Sequence, residues 1–197
     1  MRRAAVVALS VAATLLLAGC TSTDKLAVDY GSGAGTSYTD DSGAPVIVKA
    51  SDRAKAISFT SKDETGTTVS MAGFLGKVVV VNFWYAGCAP CRAEAPILNS
   101  LHSKYASQGV AFLGVNTVDQ AATARSFEEQ YKVQYPSAMD VDSGSVRIAF
   151  AGAIAPTATP TTYVIDTKGR IAARIVGQLE SASILNTLIS DALAEGK

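Results

Sequence analysis

The sequence predicts an α/β domain in which a central mixed β-sheet is flanked by helices on both sides. Three observations carry this. Val78-Val79-Val80-Val81-Asn82-Phe83 is a continuous, mostly β-branched run, the pattern of a strand buried on both faces. A second apolar run, 110–115, follows a stretch in which Leu98, Leu101 and Tyr105 recur at helical spacing. Near the C-terminus, a strand over 161–165, the turn Asp166-Thr167-Lys168-Gly169, a returning strand over 170–176 and a helix over 181–194 close the pattern. With 197 residues, 48% of them hydrophobic, the chain has material for one ordinary domain plus a tail or two.

The first residues read as an address. Met1-Arg2-Arg3 is a short positive start, and 4–18 is apolar apart from Ser10 and Thr14. That length suits a secretory signal better than a bilayer crossing. Leu17-Ala18-Gly19-Cys20 resembles the lipobox of bacterial lipoproteins, in which cleavage precedes the cysteine. The resemblance implies a signal peptide over 1–19 and a Cys20 lipidated on its sulfur, with the protein held on the outer face of the cell membrane. An ordinary signal peptide or an uncleaved anchor are the alternatives; each still delivers the body outside the cytoplasm. Removing Arg2 and Arg3 with the signal leaves 15 basic and 17 acidic side chains, a net charge of −2. A nearly neutral chain without a basic run excludes nucleic acid as a partner.

Residues 20–46 form the expected tether, because segments such as Gly31-Ser32-Gly33-Ala34-Gly35 offer nothing to a core. Its root-mean-square reach is about 25–30 Å. The folded domain is expected over 47–197. It begins with a β-hairpin extension, strands at 57–60 and 67–70 around Asp63-Glu64-Thr65-Gly66, and then a helical turn at 71–75. The strand at 78–83 leads to a helix over 89–107. After the strand at 110–115, Asp119 is placed to cap a helix running to Tyr131. A short strand at 138–140 and a helix at 146–151 follow before the chain reaches the strand at 161–165. The closing helix draws its apolar face from Ile184, Leu185, Leu188, Ile189 and Leu193.

The chemistry lies in Cys88-Ala89-Pro90-Cys91, set between a buried strand and a helix start. A cysteine at a helix N-terminus meets unpaired N–H groups and the positive end of the helix dipole, which favour the nucleophilic thiolate. A second cysteine one turn later can displace the product by closing an internal disulfide. A zinc site needs about two further ligands, yet His102 is the only histidine and no other cysteine is free. A purely structural disulfide across so short a loop adds little stability.

Phe83-Trp84-Tyr85-Ala86-Gly87-Cys88-Ala89-Pro90-Cys91-Arg92 resembles the active site of the thioredoxin superfamily. Further residues resemble its extracytoplasmic TlpA/ResA type. Asn82 stands where cytoplasmic thioredoxins carry a buried aspartate, and Glu94 follows Cys91 by one turn. Pro96 sits at the family's helix kink, the stretch 115–138 matches an insertion, and Thr159-Pro160-Thr161-Thr162 matches the loop with the family's cis-proline. The resemblance covers about 50–195 and implies a thioredoxin-like fold. It makes Cys88 the exposed attacking thiol and Cys91 the buried resolving one, with Trp84, Pro90, Thr159 and Pro160 supporting the site. Trp84 shields the site or serves as a core aromatic. Glu94 either moves protons for the buried thiol or is a solvated helix residue. His102 and Arg92 are read as surface groups.

The implied activity is dithiol–disulfide exchange with protein thiols and disulfides, without metal or cofactor beyond the cysteine pair. Reduction of exported proteins, fed by a membrane electron-transfer partner, is the leading expectation, and cytochrome c maturation is a pathway that the resemblance brings with it. A disulfide-forming oxidase and a non-catalytic binding lipoprotein are the alternatives. Ala89-Pro90 does not fix the direction of electron flow.

Overall fold

The computed structural model describes residues 44–152 and 155–196. The expected signal, Cys20 and most of the tether lie outside the described residues. Eight strands form one mixed sheet in the order β1-β8-β7-β4-β5-β6-β2-β3. They are β1 Val46–Ile47, β2 Thr60–Asp63, β3 Thr68–Ser70, β4 Val78–Trp84, β5 Val110–Asn116, β6 Ser137–Met139, β7 Thr161–Ile165 and β8 Ile171–Val176. The helices are α1 Ala89–Tyr105, α2 Ala121–Tyr131, α3 Ser145–Ala151 and α4 Ala182–Glu195, with a 3-10 turn at Met71–Phe74. β4, β5 and β6 run parallel; every other pairing is antiparallel. Among the described residues no helix is long and apolar enough to cross a membrane.

β4 is the axis because its side chains alternate between two cores. Val79, Val81 and Phe83 join Met71, Leu113, Phe150, Tyr163 and Ile165 on one face. Val78 and Val80 meet Leu98 and Leu101 of α1 and Leu185, Leu188 and Ile189 of α4 on the other. Each fully buried aliphatic side chain of this kind stabilises the fold by roughly 1.5–3 kcal/mol. Asn82 belongs to the α1 face by the same alternation, so a polar group is delivered beneath that helix.

Several boundaries differ from the sequence reading, each for a tertiary reason. β1 straddles the expected boundary at 46/47, pairing Val46 with Arg174 along the edge of β8. The expected strand at 57–60 begins only at Thr60: Ile57 and Phe59 are buried but outside the ladder, while β2 pairs with β6. Asp140, expected in a strand, is fully buried and accepts the Val146 and Arg147 amides at 2.8 and 3.1 Å, holding the α3 N-terminus. Ile184 is 47% exposed, because the inner stripe of α4 is Leu185, Leu188, Ile189 and Ala192. Asp119 does not cap α2: Gln120 holds the cap position without a side-chain bond.

Candidate active site

The site forms where β4 ends and α1 begins, at the edge of a third cluster containing Trp84, Cys88, Cys91, Ala95 and Phe127. Cys88 is the N-cap residue of α1, and its Sγ accepts the Cys91 amide at 3.2 Å. Pro90 occupies the first turn, where a backbone N–H would lack an intrahelical partner in any case. Cys88 and Cys91 are joined by a disulfide of S–S 2.07 Å. The expected exposure of Cys88 is not met in this oxidised form: Cys88 is 2% and Cys91 3% exposed. The reason is local, since Cys88 Sγ lies 3.9 Å from the Thr159 carbonyl oxygen across the site.

Thr159 is followed by a cis peptide to Pro160, as the motif resemblance implied. Pro160 is buried, and its carbonyl accepts the Gly177 amide at 2.9 Å. Thr161 Oγ1 donates to the Ala158 carbonyl at 2.6 Å, fixing the same loop from inside. Trp84 is a buried aromatic beside the disulfide. Its ring belongs to the cluster around the two cysteines and stacks on Phe127 at 4.3 Å between centroids, while its indole N–H donates to Ser137 Oγ at 3.2 Å.

Glu94 is fully buried, so the solvated reading is wrong. The stripe Cys91, Glu94, Ala95, Leu98 and Leu101 turns it inward. Its Oε1 accepts Asn82 Nδ2 at 2.8 Å, and its Oε2 accepts the Leu179 amide at 3.0 Å. The second proton of Asn82 Nδ2 goes to Thr162 Oγ1 at 3.1 Å. Burial raises the Glu94 carboxyl to about 7, against the two hydrogen bonds that favour its anion. A carboxyl poised near neutrality stands one turn from Cys91. A cavity of about 10 Å³, bounded by Asn82, Trp84, Cys91, Leu98 and Tyr135, has room for roughly one water beside the sulfur.

Two groups read as surface residues are tied in. The Arg92 guanidinium donates to the Ala86 carbonyl at 2.9 Å. His102 is half-buried, edge-on to Phe112 at 5.4 Å and tilted against Tyr135 at 5.5 Å. The sequence reading missed Asn116, Ser137 and the Leu179 amide as neighbours of the site; an Asn at the end of a buried strand, three before an Asp, was the available signal for the first. Among the described residues no three His, Cys, Asp or Glu side chains gather as metal ligands.

Comparison with known proteins matches this geometry. The family described as Redoxin matches residues 49–189. The thiol-disulfide oxidoreductase ResA of Bacillus thuringiensis subsp. konkukian is 32% identical over 124 residues, 63% of this chain and 69% of that protein. A DsbF homologue from Corynebacterium diphtheriae superposes with a TM-score of 0.67 at 25% identity, covering 78% of this chain and 96% of the other. A secreted thiol-disulfide isomerase from Corynebacterium glutamicum shares the fold, with a TM-score of 0.69 at 24% identity over 79% of this chain and 95% of the other. Such proteins work through a redox-active cysteine pair, and this chain carries that pair as Cys88 and Cys91, joined at a helix N-terminus. The chain belongs to the Redoxin family, and within the thioredoxin superfamily it is a ResA-like thiol–disulfide oxidoreductase.

Proposed function

We propose that this oxidoreductase is an exported, lipid-anchored reductase of disulfides in proteins outside the cytoplasm. The observation that carries the reading is the cysteine pair at the start of α1, backed by a buried carboxyl near neutral pKa. In the reduced enzyme the Cys88 thiolate attacks one sulfur of a client disulfide, forming a mixed disulfide and releasing the client's other sulfur as thiolate. Glu94 takes the Cys91 proton. The Cys91 thiolate then attacks Cys88 Sγ, releasing the second client thiolate. Two electrons pass to the client, and the enzyme is left with the Cys88–Cys91 disulfide. A membrane partner returns two electrons. Trp84, Pro90, Thr159 and Pro160 shape the surface on which the client disulfide meets Cys88.

The lipid anchor rests on Leu17-Ala18-Gly19-Cys20, with 20–46 as the tether. Apocytochrome c, whose cysteines must be reduced before haem attachment, is the client that the family resemblance favours. Two experiments test the reading separately. Insulin reduction by the reduced protein must be lost in Cys88→Ser; retained activity removes this pair from the chemistry. Cys20→Ser must release the protein from membranes and change its mobility; unaltered partitioning removes the anchor and leaves the exchange reaction standing.

A further inference from the structure

Asp119 follows β5 and precedes α2, yet its carboxylate turns away from that helix. Oδ2 accepts the Ala86 amide at 2.6 Å and Asn116 Nδ2 at 2.8 Å. Asn116 is fully buried, and its Oδ1 accepts the amides of Val118 and Asp119 at 3.2 and 2.8 Å. The carboxylate is thus held by both the side chain and the turn that carry it. On the other side of the same residue, the Ala86 carbonyl accepts Arg92 Nη1 at 2.9 Å. Both polar backbone groups of the residue two before Cys88 are therefore gripped by side chains of opposite charge, one from α1 and one from the β5–α2 loop.

This matters because residues 85–87 are the irregular link between two fixed bodies. β4 is locked in the sheet and α1 is packed on it, but Gly87 is exposed and Tyr85 and Ala86 are half-exposed. Outside the Ala86 clamp, the link is tied by Thr117 N–H to the Trp84 carbonyl at 3.2 Å and Cys88 N–H to the Tyr85 carbonyl at 3.1 Å. A charge-assisted N–H···O⁻ bond is shorter and stronger than a neutral one, so the Asp119 contact is the stiffest of these ties. A carboxylate near a thiolate works against it, and Arg92 on the opposite side of Ala86 offsets that field.

We propose that Asp119 is a positioning residue for thiol–disulfide exchange: through the Ala86 amide it holds Cys88 Sγ at the first turn of α1, within reach of the Cys91 N–H. The proposal rests on the reading of Cys88 as the attacking thiol. Two variants of the full chain separate position from charge. Asp119→Asn removes the charge but keeps an oxygen for Ala86, whereas Asp119→Ala removes both. The thiolate of the reduced protein is titrated by its ultraviolet absorbance, and insulin reduction is measured alongside.

The Cys88 thiolate of Asp119→Ala is expected to titrate about half a pH unit above that of Asp119→Asn, because the sulfur drifts from the helix N-terminus. Its exchange rate should fall about tenfold below the asparagine variant, in kcat rather than KM. Asp119→Ser, polar but too short to reach Ala86, must behave like alanine and serves if the alanine variant does not fold. The proposal is overturned if both substitutions lower the titration equally, which is charge alone. It is also overturned if neither moves the titration while both lower the melting temperature, which is structure alone. Insulin reduction surviving in Cys88→Ser overturns the underlying reading as well; its loss there, with coincident Asp119 variants, overturns this proposal only.

Discussion

Glu94→Gln keeps the size of the side chain at the floor of the site and deletes its ionisation. In the unfolded chain this carboxyl ionises near 4.5, and in the folded protein burial holds its proton until about 7. Between those values the folded state binds the proton that the unfolded state has released, so stability falls as pH rises and levels off above about 7. Two and a half pH units correspond to a loss of about 3 kcal/mol. Glutamine has no such loss. It does carry a cost at every pH, because its NH2 group must face one of the two donors that Glu94 accepts, Asn82 Nδ2 or the Leu179 amide. A buried donor left unmet costs about 1–3 kcal/mol. The variant is therefore the less stable protein at pH 4.5 and draws level with the wild type by pH 7.5. Glu128, which burial and the neighbouring Glu64 and Asp63 also raise to about 7, adds a slope common to both proteins and cancels in the difference. Urea unfolding of the oxidised proteins, followed by Trp84 fluorescence at both pH values, measures it. Parallel pH dependences in wild type and variant would refute the argument that Glu94 is buried with its proton.

Other substitutions probe other parts of the molecule. Cys91→Ser leaves Cys88 without a resolving thiol, so it should accumulate a mixed disulfide with oxidised insulin, visible by mass, while Cys88→Ser accumulates none. Gly114→Ala places a methyl group 2.7 Å from Trp84 Nε1 and against Ser137 Oγ, two atoms already bonded to each other. It should destabilise by about 1–3 kcal/mol in urea and shift the Trp84 emission. Arg53→Met removes a buried guanidinium, 3% exposed, that binds Asp166 at 3.0 Å. Burial alone would raise the Asp166 carboxyl, but hydrogen bonds from Arg170, Arg53 and the Lys168 amide hold it below its usual range. Its stabilisation is present above the unfolded pKa and is lost as pH falls through the folded one. Because Arg170 still pairs with Asp166 at 2.8 Å, the variant should lose only about 1–2 kcal/mol at neutral pH and unfold in acid at a higher pH than the wild type.

What the sequence shows plainly is what local pattern controls. The run from Val78 to Phe83 has no reading except a buried strand, and the pair Cys88 and Cys91 after it marks the site. What it hides depends on residues far along the chain. Glu94 is buried because α1 sets it on the stripe of Cys91 and Leu98 and because Leu179, 85 residues later, supplies a donor. Stepping back one turn from Leu98 would have found the stripe but not the donor. Asp119 carries a strong local signal for a helix cap, and the Ala86 amide outcompetes it. Ile57 and Phe59 look like strand residues, yet the ladder starts at Thr60, where β6 arrives to pair with β2. Arg92 has no neighbour in sequence that foretells the Ala86 carbonyl. Periodicity reads the elements; the ties between elements carry the site.

The proposed reaction requires Cys88 and Cys91 to form a redox couple that donates electrons. Its reduction potential, obtained by equilibrating the full chain against glutathione or dithiothreitol, tests this most directly. The expected value lies near that of thioredoxin, about −270 mV, a dithiol able to reduce client disulfides. A value approaching about −120 mV would make the pair an oxidant and reverse the proposed direction, and the absence of any titratable couple would contradict the exchange mechanism itself.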